Sequence, residues 1–178
     1  MARSRLAFDP IAEARRQWEA HGWTDAAPGM AVVTSVMRMQ QVFLKAVDDV
    51  LAPFSLSFAR YEVLVLLWFS RQGQLPLGKM SSRLQVHAAS VTNAVQRLEQ
   101  DGLVERRPHP SDGRTVLARL TDKGEALVKE ATQAVNEQVF ANLELSADEM
   151  AELFRLLRKL RVASGDFGEP DLAPAQVT

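Results

Sequence analysis

The chain contains no cysteine. This absence excludes disulfide scaffolds, thiol nucleophiles, peroxide sensing through a thiol and zinc sites that need thiolates. Histidine is scarce, because only three of the 178 residues are histidine and they are dispersed, so we do not expect a zinc sensor. Paired catalytic carboxylates, a Ser-His-Asp set and a phosphate-binding glycine loop are also missing at meaningful spacing. We therefore expect no enzyme, no cofactor and no metal site.

Long apolar runs are missing as well. No window approaches the ~18 continuous apolar residues that a membrane-spanning helix needs. The first ten residues include two arginines but no apolar stretch after them, unlike a secretory signal. Hydrophobic residues make up 47% of the chain and charged residues 24%, as in ordinary globular proteins. We expect a cytoplasmic protein with one domain, or one domain with an appended assembly element.

The net charge of −1 conceals an uneven distribution. Residues 71–120 have a net charge of +4, and the remainder has a net charge of −5. A basic segment is suited to a polyanion only if its shape also fits, so charge alone leaves a solvated surface as an equal alternative. The bases of this segment are Arg71, Lys79, Arg83, Arg97, Arg106, Arg107, Arg114 and Arg119.

Apolar periodicity and capping residues predict a mostly α-helical chain with a small β-hairpin wing, an α+β class. Asp9, Ser57, Thr121 and Ser146 are the predicted helix caps, and Ser146 begins a capping box with Glu149. Residues 24–29 are predicted to be a loop. The predicted helices are residues 9–21, 30–52, 58–71, 79–84, 88–101, 121–140 and 147–163. The predicted extended segments are 75–77, 103–107 and 115–120, with a turn-rich tip over 108–114.

The order of elements from Lys79 to Leu120 is that of a winged helix-turn-helix. Residues 96–106, Gln-Arg-Leu-Glu-Gln-Asp-Gly-Leu-Val-Glu-Arg, resemble the R-L-E-x-x-G-L-V-x-R stretch of the MarR family of transcriptional regulators. Asp112 and Arg114, followed by Leu120-Thr121 and Gly124, resemble the wing signature of that family, D-x-R-x-x-x-x-x-L-T-x-x-G. The resemblance extends over residues 30–163. It implies a dimeric regulator that binds double-stranded DNA in a sequence-specific way.

The helix at 88–101 is the predicted DNA-reading helix. Short polar side chains at its N-terminal end suit the major groove, and the candidate base readers are Ser90, Thr92 and Asn93, with Gln96 beside them. An ordinary solvated helix face is the alternative. The candidate phosphate contacts are Arg83, Arg97, Arg106 and Arg107, and for the last two simple strand solubility is the alternative.

The hairpin at 108–114 is the predicted wing. The resemblance implies that Arg114 enters the minor groove, where a narrow A·T-rich form attracts a guanidinium. We expect Asp112 to orient that guanidinium through a charge-assisted pair rather than to contact DNA.

The terminal helices carry apolar stripes that a small winged domain cannot cover. The resemblance implies that they form a two-fold homodimer, which requires a pseudo-palindromic operator. The predicted organisation is an N-terminal extension (1–29), a helical dimerisation region (30–57 and 121–163), a winged helix-turn-helix domain (58–120) and a mobile tail (164–178). The predicted interface residues are Ile11, Ala14, Trp18, Leu153, Phe154, Leu157 and Leu160.

Members of the family often bind a small anionic or aromatic effector between the dimer helices and the winged domain. Arg38 can pair with an effector carboxylate, or else it pairs with Glu62 or Asp48 within the chain or is simply exposed on the surface. His87 stands where the family commonly has Ser, Thr or Asp as a helix cap, which leaves contact with a base, with a ligand or only with solvent open. The candidate effector contacts are Met37, Arg38, Gln41, Tyr61, Trp68 and His87, and residues such as Met37, Tyr61 and Trp68 more often belong to a core than line a pocket.

The hypothesis from sequence is a repressor that a small molecule releases from DNA. Two alternatives stay open at this point. One is a winged-helix module for protein–protein interaction with a solvated wing, and the other is a DNA-binding protein without sequence preference.

Overall fold

The computed structural model describes residues 6–168, apart from side-chain detail at residues 113 and 114. Over that range the chain forms seven α-helices and three β-strands, and the predicted class is confirmed. A 3-10 turn (Ala52–Phe54) follows α2 and a π-helical turn (Asn136–Phe140) follows α6. The helices are α1 (Pro10–Ala20), α2 (Ala27–Leu51), α3 (Phe58–Trp68), α4 (Leu77–Leu84), α5 (Ala88–Gln100), α6 (Asp122–Val135) and α7 (Ala147–Ala163), and the strands are β1 (Gln74–Pro76), β2 (Val104–His109) and β3 (Asp112–Leu120).

The chain divides into two compact units, Met1–Val47 and Asp48–Thr178. In the first unit, the predicted cap is confirmed, because the Asp9 carboxylate accepts the N–H of Ile11 at 2.9 Å. The loop predicted over 24–29 is wrong at its end, because α2 already begins at Ala27. Pro28 is tolerated there, since the N–H groups of a first helical turn have no partner within the helix.

The core of the second unit lies between α3, α5, α6 and the sheet. Tyr61 is buried on α3, and its hydroxyl donates to the Thr132 hydroxyl on α6 at 3.1 Å. The N-terminus of α3 is capped from a distance, because the Asp48 carboxylate accepts the N–H of Phe58 at 2.8 Å. Ser57 occupies the predicted cap position without a side-chain hydrogen bond. The largest fully buried side chains are Leu51, Leu64, Leu67, Met80, Leu98, Val63, Val91, Val95, Val104, Val128 and Val135.

The sheet is antiparallel with the order β1-β3-β2. Its hairpin is longer than expected, because strand pairing extends into the segment 108–114 that the sequence predicts as a turn. Only Pro110 and Ser111 form the tip. Pro108 is accommodated because β2 is an edge strand, and a register irregularity follows it between Pro108 and His109. The wing is therefore a stiff two-stranded ribbon for most of its length.

A close backbone approach joins the end of α5 to the start of α6. A Cβ atom at Gly124 would lie 2.1 Å from the carbonyl oxygen of Leu103 and 2.9 Å from the Leu120 side chain. The Thr121 hydroxyl confirms its predicted capping role, accepting from the Gly124 N–H at 3.0 Å and donating to the Gly102 carbonyl at 2.9 Å. Glycine is required at residue 124 by space rather than by backbone conformation.

An ion pair joins α5 to β2. Arg106 donates to the Glu99 carboxylate from its Nε at 2.7 Å and from its backbone N–H at 3.2 Å. The side-chain hydrogen bond from Arg106 lowers the pKa of the Glu99 carboxyl below its usual range. This pair fixes the direction of the first wing strand relative to the helix.

Gly124→Ala is expected to lower the free energy of unfolding by about 3 kcal/mol, the upper end of the usual cost of overpacking, because the new methyl group meets backbone that cannot swing aside. Urea denaturation measures this difference. Gly78→Ala is the matched control, since a Cβ at Gly78 meets nothing within 4 Å. The control should be as stable as the wild type, and an equally stable Gly124→Ala variant would contradict the close approach.

Glu99→Gln is expected to destabilise the fold at pH 7, and the difference from the wild type should shrink as the pH falls toward 3. The carboxyl has a lowered pKa in the folded state, so its contribution is fully present above the unfolded value of about 4.3 and is lost as the pH falls through the folded value. Denaturation of both proteins at both pH values tests this expectation. Glu130→Gln on α6, whose carboxylate has no partner among the described residues, is the control. A pH-independent difference for Glu99→Gln would refute the assignment.

Candidate nucleic-acid interface

Helix α5 has one buried and one exposed face. Val91, Ala94, Val95 and Leu98 are buried against the rest of the second unit, as predicted. The opposite face therefore points to solvent, and it carries the predicted DNA contacts. Ser90, Thr92, Asn93, Gln96 and Arg97 are all exposed.

The polar groups of this face differ in their availability. The Thr92 hydroxyl donates to the Ala88 carbonyl at 2.9 Å, which leaves its methyl group and oxygen lone pairs facing outward. Among the described residues, the structure shows no partner for the side chains of Asn93, Gln96 and Arg97. These two amides and one guanidinium can therefore bond base edges or phosphates without first breaking an internal contact.

The turn before α5 opens its N-terminal end. Gln85 adopts a left-handed conformation (φ 55°), and His87 then takes the N-cap position without a side-chain hydrogen bond. The first-turn N–H groups of α5 thus have no capping side chain. A shallow polar groove lies in front of them, lined by Ser81, Ser82, Gln85, Val86, His87 and Ser90.

Two of the predicted phosphate contacts are already paired with acids. Arg106 is bound to Glu99 at 2.6 Å, and Arg107 is bound to Glu105 at 2.7 Å. Both pairs are partly exposed, so they weaken rather than abolish the attraction of these arginines for phosphate. Arg83 lies exposed in the last turn of α4.

The wing carries a local hydrogen bond near its tip. Asp112 accepts from the Thr115 hydroxyl at 2.7 Å. Arg114 belongs to β3, but its side chain lies outside the described part of the structure, so its pairing with Asp112 stays a prediction.

Sequence reasoning missed Lys79 as a candidate contact. A groove between the start of α4 and the wing places Lys79 beside His109 and Thr115. Lys79 is exposed, and its ammonium has no partner among the described residues. In the sequence, Lys79 is one of the bases of the segment 71–120, and only the fold shows that it faces the wing.

The candidate effector residues are divided between the two units, with Met37, Arg38 and Gln41 in the first and Tyr61, Trp68 and His87 in the second. On α2, Met37 is 61% exposed and Arg38 donates to the Gln41 side chain at 3.1 Å. On α3, the Tyr61 hydroxyl is engaged in the core, and the half-buried Trp68 stacks on Phe69 with ring centroids 5.0 Å apart.

The remaining groups considered for the effector site are His87, Glu62 and Asp48. His87 lies at the start of α5. Glu62, the alternative partner of Arg38, lies half-buried on α3, where burial raises the pKa of its carboxyl. The other alternative, Asp48, is engaged in capping α3.

The predicted interface residues lie on helices with little burial. Neither α1 nor α7 contains a buried residue. On α1, Trp18 is 37% exposed and lies 5.5 Å from the ring of Trp23. On α7, Leu153, Phe154 and Leu160 are exposed and Leu157 is half-buried, although the capping box predicted at Ser146 is confirmed.

Over residues 6–168, no group of three or more potential metal ligands lies close enough together to hold an ion. Over the same residues, no single helix is both long enough and apolar enough to cross a membrane.

Comparisons with known proteins agree with this geometry. The MarR family model matches residues 57–116. The transcriptional regulator MgrA of Staphylococcus aureus is 32% identical over 113 residues, which cover 64% of this chain and 75% of MgrA. The crystal structure of Sco5413, a MarR family transcriptional regulator from Streptomyces coelicolor, is 51% identical with a TM-score of 0.72, and the match covers 80% of this chain and 99% of Sco5413.

A third relative was solved on DNA. A mutant of Escherichia coli MarR, in complex with operator DNA, is 28% identical with a TM-score of 0.68, and the match covers 76% of this chain and 96% of that protein. The exposed polar face of α5, the basic hairpin and these three similarities lead to one conclusion. The chain belongs to the MarR family of transcriptional regulators.

Proposed function

We propose that the protein is a homodimeric, sequence-specific repressor that binds a pseudo-palindromic operator and is released by a small molecule. The observation that carries the proposal is the outward face of α5, where Asn93, Gln96 and Arg97 are exposed without an internal partner among the described residues. A helix face that served only for solubility would not need two neighbouring side-chain amides opposite a buried apolar face. The operator complex of the related MarR mutant supports DNA as the partner.

In the proposed complex, α5 enters the major groove and the wing enters the minor groove. Ser90, Thr92 and Asn93 read base edges, with Gln96 beside them. Arg97, Arg83 and Lys79 neutralise phosphates, and Arg106 and Arg107 add weaker phosphate contacts from within their ion pairs. Arg114 enters the minor groove, with Asp112 as its orienting partner.

The proposed dimer uses the apolar side chains that the terminal helices leave exposed. Phe154 is 66% exposed and Leu160 is 52% exposed on α7, an arrangement that costs free energy unless a second chain covers it. Ile11, Ala14 and Trp18 of α1, with Leu153 and Leu157 of α7, complete the proposed interface. A two-fold axis places the two α5 helices about one helical turn of DNA apart.

Repression follows from occupancy, because a bound dimer covers promoter DNA in the cytoplasm. The proposed effector is a small anionic or aromatic molecule that stabilises a different spacing of the two winged domains. Arg38, Met37, Gln41 and Trp68 are the proposed contacts, since their side chains are exposed or half-buried. His87 is a further proposed contact, whereas Tyr61 contributes its ring only, because its hydroxyl is bound to Thr132.

Asn93→Ala is expected to weaken operator binding by about 1–3 kcal/mol, the usual cost of losing a bidentate base contact. Binding to unrelated DNA should not change, because base contacts carry sequence information and phosphate contacts do not. Fluorescence anisotropy measures both affinities, on the DNA upstream of the protein's own gene, with and without an excess of unrelated duplex. Gln100→Ala, an exposed amide at the far end of α5, is the control. Equal losses on both DNAs would contradict base reading by Asn93.

Arg114→Ala is expected to cost about 1–3 kcal/mol of operator affinity through loss of the minor-groove contact. Arg155→Ala removes the same charge from α7, where Arg155 is paired with Glu152 at 2.7 Å, and should have little effect. The same anisotropy assay compares the two variants over a range of salt concentrations.

Wild-type binding in this assay separates the proposal from its alternatives. Binding that survives competitor and depends on Arg114 supports the sequence-specific regulator. Binding that any duplex competes away equally favours a DNA-binding protein without sequence preference. No binding at low salt overturns the DNA hypothesis and favours a protein–protein interaction module.

A further inference from the structure

The end of α7 forms a specific C-terminal cap. Gly165 adopts a left-handed conformation (φ 72°), and its N–H bonds the Val162 carbonyl at 2.9 Å. The next N–H, from Asp166, bonds the Arg161 carbonyl at 3.0 Å. These two bonds are the Schellman pattern, which reverses the chain and returns the side chain of Asp166 toward the last turn of the helix.

The cap is braced from its outer side. The Phe167 ring contacts two guanidinium groups of α7, with its centroid 5.2 Å from Arg158 and 5.1 Å from Arg161. Cation–π contacts of this kind hold both partners in place at an exposed site. Residues 164–168, which the sequence places in a tail, therefore form the folded end of α7.

The capped end of α7 contacts the turn between α4 and α5, which is 81 residues away along the chain. The Asp166 carboxylate accepts from Arg161 Nε at 2.5 Å and from Gln85 Nε2 at 2.8 Å. Gln85 Nε2 also donates to the Asp166 carbonyl at 3.2 Å, and Arg161 Nη2 donates to Gln85 Oε1 at 3.3 Å. Each of the three side chains thus bonds the other two.

A contact at Gln85 can affect the direction in which α5 leaves the turn after α4. It is the left-handed residue of the turn, and its backbone N–H closes the last turn of α4 on the Ser81 carbonyl. Two residues later, His87 begins α5 without a side-chain cap of its own. The direction in which α5 leaves the turn is therefore fixed partly by the side chain of Gln85.

We propose that Gln85, Arg161 and Asp166 form a clasp that positions the DNA-reading helix against α7. The clasp residues are positioning residues and do not contact bases. The proposal rests on the proposed function, because α7 is a helix of the proposed dimer and α5 is the proposed reader. A clasp between them transmits the dimer geometry to the reading helix and so sets the spacing that the operator requires.

The energetic scale of the clasp follows from its exposure. A single exposed ion pair contributes little, but a network with several hydrogen bonds to one carboxylate contributes more. The backbone cap also holds Asp166 in place before it bonds Gln85, which reduces the entropy that the contact costs. The expected effect on operator affinity is therefore measurable but moderate.

The test uses Asp166→Ala in the full-length protein. Removal of a negative charge strengthens DNA binding if Asp166 acts only through the electrostatic field. Loss of the clasp predicts the opposite sign, a roughly three- to tenfold weaker binding to the operator, on the order of one or two hydrogen bonds. Binding to unrelated duplex should not weaken, and the dependence on salt should keep its slope, because no phosphate contact is removed.

Asp148→Ala is the matched control, since it removes an exposed carboxylate from the other end of the same helix. Both variants are checked for wild-type mass in sedimentation and for an unchanged thermal midpoint. Asp166→Asn, which keeps a side-chain oxygen to accept from Gln85, should recover part of the lost affinity. Operator binding by Asp166→Ala that equals or exceeds that of Asp148→Ala overturns the clasp.

A double-mutant cycle separates the clasp from a direct contact of Gln85 with DNA. If the clasp acts, Gln85→Ala costs less operator affinity in the Asp166→Ala background than in the wild type. Strictly additive losses overturn it. Failure of the wild type to bind any DNA would instead remove the proposed function, and that result is visible before any variant is made.

Discussion

The close approach of Gly124 to the Leu103 carbonyl is the constraint on which the reading surface depends. Leu103 ends the turn after α5, and Gly124 lies in the first turn of α6, so the two strands of the wing begin and end at this junction. The pairing of Val104 with Leu120 follows directly from it. A side chain at residue 124 would push the start of α6 away from Leu103 and Leu120, where the two wing strands begin and end. Glycine at residue 124 therefore lets α6 pack closely against the base of the wing.

Ion pairing, rather than the number of arginines, decides where the basic segment carries unpaired positive charge. Two of its acids bind its own bases, Glu99 with Arg106 and Glu105 with Arg107, whereas Asp101 binds Arg60 outside the segment. The first two pairs brace the base of the wing, while Arg97 on α5 and Lys79 on α4 have no partner among the described residues. Because phosphate affinity depends on the released counterions, the net +4 of the segment matters more than the count of its arginines. Ion pairing thus neutralises part of the charge of the segment and stiffens the wing.

Local signals in the sequence predicted the local features of the structure. The apolar face of α5, the Thr121 cap and the capping box at Ser146 follow from residues within one or two turns of each other. The extent of the wing did not, because Pro108 and Pro110 indicate a turn, whereas cross-strand pairing on an edge strand decides the outcome. The contact between Gln85 and Asp166 spans 81 residues and has no local signal. The sequence alone therefore indicated which residues face outward, but not which of those side chains are bound by other residues.

The contacts within the chain bear on how an effector would release the proposed repressor from DNA. Within the second unit, the Glu99–Arg106 pair joins α5 to β2, and the Gly124 approach joins α6 to the ends of the wing strands. In the proposed dimer, the terminal helices set the spacing of the two α5 helices, and neither α1 nor α7 contains a buried residue in the single chain. A ligand can shift that spacing only by its difference in affinity between the two arrangements. In this proposal, release requires a site that senses the terminal helices, and the end of α7 is where one of them contacts the turn before α5.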